Sequence, residues 1–452
     1  MNSQAKIISF NLENEAICAS AARISTTQGD ALEIFGKAKE NSRNAALIRK
    51  VMESGHESIL EHAVFTLALC NVSVLVEQFF IEFRLASFTV KSRRYVDFGK
   101  MGYYVPAGLN EEARGAYLSH MDYLFSEYRY FLEEGIPKED ARFLLPYSFL
   151  SNFYCTVNAR ELIHMLQEMR FGRGRDLPEL QLLFGQLTEQ LEQLFPVLLE
   201  DLKGGSPCGE AIEKTLSHPD GEPAEVCAQV ALLGCTENAA ALLAAAHAVK
   251  TGRSADRMNV SELSEEILHS FRPRELEQIS ASFLVRNVTL SGITHMVRHR
   301  MQSILVPPFH RVKPYEYILP DTVRANPELT ARYAAVFERN LSAIRELKAL
   351  GFSEDIYLCL SGNTLDVFTT MNARELMLFF RLRTCRRAQW EVRNIAVDML
   401  NLLRQKTPEI YGKMGPSCFL EGHCPEGKLT CGKFDSVRKS FAAPLAEESP
   451  LT

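Results

Sequence analysis

Among 452 residues there is a single tryptophan, Trp390, and no surplus of positive charge. A net charge of −6 argues against a general nucleic-acid binder, while leaving room for a local basic patch. Met1–Phe10 has no basic segment leading into an apolar one, so no secretory signal is expected. The longest apolar run, Ala239 to Ala246, ends at His247 and is too short to span a bilayer. No Gly-x-Gly-x-x-Gly follows a predicted strand, which argues against a Rossmann cofactor site. Gly422-x4-Gly427-Lys428 imitates a phosphate loop, but Leu429 stands where a metal-binding hydroxyl is needed. Eleven cysteines, an odd number without an export signal, point to a reducing compartment. The expectation is a cytoplasmic protein with no membrane partner and no specific nucleic acid.

What the chain does have is a repeat. Thr156-Val-Asn158-Ala-Arg160-Glu161-Leu162 returns as Thr370-Met-Asn372-Ala-Arg374-Glu375-Leu376, and Arg84-x-x-Ser87 returns as Arg300-x-x-Ser303. His56-Glu-Ser58 is echoed at His269-Ser270, and Glu13-Asn14 at Glu237-Asn238. Four pairs in one order at nearly constant offset imply tandem duplication of a domain of common size. Composition then sets the boundaries: domain one over 1–203, a Gly/Pro/Ser-rich linker over 204–223 and domain two over 224–415. A Cys-rich segment follows over 416–440, and a tail over 441–452 is expected to be disordered. Each repeat reads alike, with a buried strand (Lys6–Phe10; Val230–Leu233), an Ala-rich helix and a second strand (Ala63–Leu69; Ser282–Val285). Long amphipathic helices (117–132, 180–202, 329–350, 394–405) close the plan. This pattern predicts α+β rather than a doubly wound sheet.

Three stretches carry chemistry. Arg298-His299-Arg300 lies between an apolar run and Pro307-Pro308, which predicts a helix end presenting two guanidinium forks to an anion. Asn372-Ala-Arg374-Glu375 opens a capped helix with five arginines between Arg374 and Arg387, too many for surface dressing alone. Cys418-x5-Cys424-x6-Cys431, with interspersed glycines and Cys385 as a fourth candidate, could wrap zinc or an iron–sulfur cluster.

Taken together, these residues resemble the flavin-dependent thymidylate synthases. The carriers are His56-Glu-Ser-x-x-Glu61-His62, Arg298-His-Arg-x-x-Ser303, both Asn-Ala-Arg helices, Leu382-Arg383 and Ala388-Gln-Trp-Glu391. The resemblance implies two tandem copies of that fold, a mixed sheet with long helices. It also implies FAD-dependent reductive methylation of dUMP, with methylenetetrahydrofolate and NADPH as co-substrates. His56, Arg298, His299, Arg300, Asn158, Arg160 and His164 would contact the cofactor. Ser92, Arg94, Arg298 and Arg383 would contact the nucleotide, with Arg383 polarising its ring as the catalytic residue. The family works as a tetramer, so a tandem chain is expected to form a homodimer.

Departures from the family pattern are complementary. The first repeat reads Glu82-Phe83-Arg84 at the basic triplet but keeps Ser92-x-Arg94-Tyr95 and Arg142. The second keeps the triplet and Arg383 but has Pro308, His310 and Ile356 at the other positions. Val90 and Val306 replace the family's acidic loop residue in both. These losses imply one working composite site per chain and a dead one around Glu82. Two rivals stay open: a different pyrimidine nucleotide as acceptor, or a flavin- or nucleotide-binding protein without catalysis.

Overall fold

A computed structural model of the chain describes residues 2–203, 205–254 and 259–443. It divides into two compact units that do not follow the sequence repeat: residues 1–224 with 308–363, and residues 225–307 with 364–452. The middle of the second repeat therefore packs with the first.

The same four-stranded antiparallel arrangement occurs in both repeats, alone in the first and within a six-stranded sheet in the second. In the first, β1 (Gln4–Phe10), β2 (Val64–Ser73), β3 (Ser87–Val90) and β4 (Leu150–Asn158) lie in the order β1-β2-β4-β3. In the second, β5 (Gln229–Cys235), β6 (Ser280–Thr289), β7 (Ser303–Leu305) and β8 (Asn363–Asn372) pair as β5-β6-β8-β7. Register follows the duplication. Thr156 faces Thr66 on one side and Ser87 on the other, and Thr370 faces Ser282 and Ser303 likewise. The paired hydroxyls bond at 3.1 Å in the first sheet and 2.8 Å in the second. The helices needed below are α1 (Val74–Ile81), α2 (Glu111–Glu133), α3 (Ala159–Arg170), α4 (Pro178–Leu194), α5 (Leu290–Met296), α6 (Pro327–Ala349), α7 (Ala373–Arg383) and α8 (Trp390–Lys406).

The turn from strand to helix is built identically in both units. Asn71 and Asn287 adopt φ of 54° and 55°, a left-handed conformation that a short polar side chain tolerates. Ser73 and Thr289 then cap α1 and α5 through their hydroxyls. A buried carboxylate holds each cap. Glu179 of α4 accepts from Ser73 N at 2.8 Å and from the Ser3 hydroxyl at 2.6 Å. Glu391 of α8 accepts from Thr289 N at 2.7 Å and from its hydroxyl at 2.5 Å. Burial pushes the Glu179 carboxyl above its usual range, and its four donors are what make it tolerable. Gly292 is required beside Glu391, since a Cβ there would come within 2.9 Å of Oε2.

Within the first unit the two repeats meet about a local two-fold. Tyr147 N bonds Cys359 O at 2.7 Å and Ser361 N bonds Leu145 O at 2.9 Å. Ser148 N bonds Tyr357 O at 3.2 Å, and Gly362 N bonds Phe143 O at 2.9 Å. Adding 214 to the first-repeat residue of one bond and subtracting 214 from the second-repeat residue gives its mate, the mark of an isologous interface. Above it α6 packs on α2. The His120 ring, held neutral by burial, bonds Asn340 Oδ1 at 2.8 Å, and Arg332 grips Glu127 at 2.6 and 2.9 Å.

Three sequence expectations change. The predicted helix over 180–202 stops at Leu194, because Pro196 removes a donor and a 3-10 segment, Pro196–Leu202, takes over. The segment 205–223 is docked rather than loose: Ala211, Ile212 and Leu216 are buried, and Leu216 N bonds Asp355 Oδ1 at 2.7 Å. Phe441 and Ala442, assigned to the disordered tail, finish a helix, Phe434–Ala442; residues 444–452 lie outside the described residues.

Asp355 gives a pH prediction. Burial pushes its carboxyl up to about 6, from an ordinary 3.8. Between those values the folded chain keeps a proton that the unfolded chain has lost, so this group lowers stability as pH rises from 4 to 6. Asp355→Asn, which keeps the acceptor for Leu216 N, is expected to match the parent near pH 4. Above pH 6 it should be more stable, by up to about 3 kcal/mol. Denaturant midpoints across pH check this; equal pH slopes in both proteins would count against it.

Candidate functional site

The basic triplet does not end a helix at the proline pair. Helix α5 stops at Met296, and Arg298-His299-Arg300 forms the turn between α5 and β7. Arg298 and Arg300 are exposed, whereas His299 between them is 4% exposed. Its ring bonds Glu375 Oε1 through Nδ1 at 3.0 Å, and Nε2 accepts from Arg383 Nε at 2.9 Å. Arg383 also donates from Nη2 to His295 O at 3.1 Å. Phe379 meets the imidazole edge-on at 4.9 Å. Glu375 sits in the first turn of α7, whose cap is the Asn372 side chain accepting from Glu375 N at 2.9 Å. A carboxylate, an imidazole and a guanidinium thus form one line across α7 and the turn. Glu375 stands within the Asn-Ala-Arg-Glu motif, where sequence assigns it no role; its place about two turns before Arg381 and Arg383 on an amphipathic helix is the available signal.

The same place in the first unit is a different object. A cavity of about 700 Å³ is lined by Glu57, Glu61, Glu82, Arg84, Asn158, Arg160, Glu161, His164, Glu168 and Arg173, among others. Asn158 caps α3 as Asn372 caps α7. Arg160 is held by Glu61 at 2.7 Å and Glu57 at 3.4 Å. Arg173, which the sequence reading missed, reaches Glu82 at 2.5 Å and Glu168 at 3.3 Å, over the rings of Phe79 and Phe83. The acidic residue in the triplet position is thereby neutralised from inside the chain. His164, 57% exposed at its side chain, pairs with Glu161 at 3.6 Å, which raises its pKa. His56 is exposed just before a 3-10 helix, Glu57–His62, and is not among the cavity's lining residues.

The Ser92–Arg94 loop is anchored by the residue between them. Arg93, 5% exposed, is buried against Glu77, which also accepts from the Ser151 hydroxyl. Arg94 bonds Glu139 Oε2 at 2.6 Å, its own N–H approaches Ser92 Oγ at 3.4 Å, and Arg142 Nε donates to Glu139 O at 3.1 Å. Glu139 therefore gathers Arg94 and Arg142, the two arginines that the first repeat keeps from the family pattern.

Cys385 lies just beyond α7, Cys418 in a short helix, Ser417–Leu420, and Cys424 and Cys431 in irregular backbone after it. All four are free thiols. Burial pushes Cys385 and Cys418 up, with smaller contributions from the other thiols of the set. The metal expectation is not met: among the described residues no group of three or more His, Cys, Asp or Glu is placed to hold an ion. The Cys424 thiol faces Thr430 Oγ1 at 3.6 Å instead.

Comparison with known proteins agrees with the duplicated architecture. The family model described as thymidylate synthase complementing protein matches twice, over residues 6–197 and 222–409. The flavin-dependent thymidylate synthase of Geobacter sulfurreducens is 33% identical over 189 residues, covering 40% of this chain and 81% of that protein. That of Clostridium tetani is 29% identical over 208 residues, covering 40% and 83%. A solved structure, the UMP/dUMP methylase PolB from Streptomyces cacaoi bound with 5-Br dUMP, is 25% identical with a TM-score of 0.36. It covers 44% of this chain and 93% of that one. With both matches spanning most of the chain, this protein belongs to the thymidylate synthase complementing protein family and carries the family domain twice.

Proposed function

We propose that this methyltransferase converts dUMP to dTMP by FAD-dependent reductive methylation, drawing its carbon from methylenetetrahydrofolate and its hydride from NADPH. The observation carrying the reading is Arg383, fixed by His299 beside two exposed guanidiniums. Arg298 and Arg300 suit the phosphate oxygens of a flavin dinucleotide and a nucleotide, so the residues present fit both anions. Bound flavin would supply the hydride that completes the methyl group. Arg383 places positive charge against the pyrimidine ring and stabilises its anionic form, making C5 nucleophilic towards the one-carbon unit. The C5 proton is then lost. No cysteine nucleophile enters this scheme. Arg94 and Arg142, gathered at Glu139, are assigned to the nucleotide phosphate. Asn158, Arg160, His164 and His56 complete the assignment on the cofactor side.

The isologous bonds within the first unit support a homodimer of tandem chains, because pairing between repeats replaces one pairing between subunits. The test of function is tritium release from 5-labelled dUMP with methylenetetrahydrofolate and NADPH. Release confirms the reading. Release from 5-labelled UMP alone moves the acceptor to another pyrimidine nucleotide, in keeping with Val90 and Val306. A yellow protein that releases neither is a binding homologue.

A further inference from the structure

We infer that Glu375 is a positioning residue, which sets the tautomer of His299 and through it the orientation of Arg383. The argument starts from donors and acceptors. A guanidinium has five N–H groups and no acceptor, so the 2.9 Å contact from Arg383 Nε requires a lone pair on His299 Nε2. The ring must therefore be neutral with its proton on Nδ1. Glu375 Oε1 stands 3.0 Å from that nitrogen and accepts it. Ring and carboxylate are 4% and 5% exposed, so water does not substitute for either partner. With the proton on Nε2 instead, two N–H groups would oppose each other and Arg383 would turn away.

The chain contains its own control. At the matching positions the first repeat has Phe83 for His299 and Met169 for Arg383, and keeps only the carboxylate, Glu161. Without an imidazole to hold, Glu161 accepts from Leu85 N at 3.4 Å and pairs with His164 at 3.6 Å. Ring and guanidinium are lost together, as expected of parts acting as one unit.

This inference rests on Arg383 acting on the nucleotide, so its test has a readout independent of turnover. In protein labelled with 15N-histidine, with His299 assigned by its loss in His299→Gln, the inference requires an unprotonated Nε2 and a protonated Nδ1 at neutral pH. A wild-type ring protonated on Nε2 would overturn it, whether or not any variant folds. Glu375→Gln should give a mixture of tautomers and a kcat lower by about 10²-fold, the scale of a misplaced catalytic group. It should add less than about 2-fold to the loss in Arg383→Ala, since the two act in series. Full additivity would overturn the inference. The required tautomer in a wild-type protein with no dUMP turnover would uphold it and overturn the proposed function instead.

Discussion

Arg383→Ala is expected to lower dUMP turnover by about 10²–10³-fold while FAD absorbance stays near its parent value. Preorganised charge at the point where negative charge develops commonly contributes about 3–4 kcal/mol. Arg383 donates sideways to His299 and to a backbone carbonyl, so its fork is oriented before any ligand arrives. Arg383→Lys should recover little, because an ammonium cannot bond His299 through a side nitrogen and reach the ring with a fork. Folding should be largely unaffected, since α7 keeps its Asn372 cap and its buried Phe379 and Phe380. Stopped-flow flavin spectra and tritium release on one preparation separate binding from chemistry. Full activity in Arg383→Ala would remove the basis for the assignment.

The second large effect concerns residues on different repeats. Arg94→Ala and Arg298→Ala are each expected to abolish turnover, by about 10²-fold or more, because each would remove the charge-assisted contact proposed for it with a phosphate-bearing ligand. The first repeat keeps Arg94 and Arg142 but has Glu82, Phe83 and Met169 in place of the charged set. The second keeps Arg298, His299, Arg300 and Arg383 but has Ile356 where Arg142 stands. Neither set is complete. Glu82, gripped by Arg173, also gives the first cavity a carboxylate where an anion would need a guanidinium. Equilibrium titration should therefore find about one FAD per chain. Turnover surviving either substitution, or two flavins per chain, would be the contrary result. Arg93 and Glu77 remain as the buried anchor in Arg94→Ala, so circular dichroism should match the parent.

Much of this was legible from residues near one another in the chain. The duplication, the first two strands of each sheet and a cap on the second Asn-Ala-Arg helix follow from local pattern and offset; the fold gives that cap to Asn372 rather than Thr370, and caps the first helix with Asn158 in the same way. Local chemistry also marked the triplet and the arginine-rich helix, and the family resemblance singled out Arg383 on it. What it missed depends on partners far apart in sequence. Glu375 lies 76 residues from His299 and Glu179 lies 106 from Ser73, and no periodicity links such pairs. The linker composition of 205–223 suggested freedom, yet Asp355 lies 139 residues from Leu216 and captures it. The triplet was read as a helix end because the proline pair offered a stop signal; Gln302 Nε2 bonds Met296 O and β7 pairs with β8, so strand pairing ends the helix earlier. Sequence alone determined the family, the duplication and the complementary losses, because those are matters of residue identity at fixed offset. Tertiary structure alone decided which carboxylate fixes the imidazole, which arginine neutralises Glu82, and that residues 308–363 pack with the first repeat, because burial and hydrogen-bond saturation act between segments that only folding brings together.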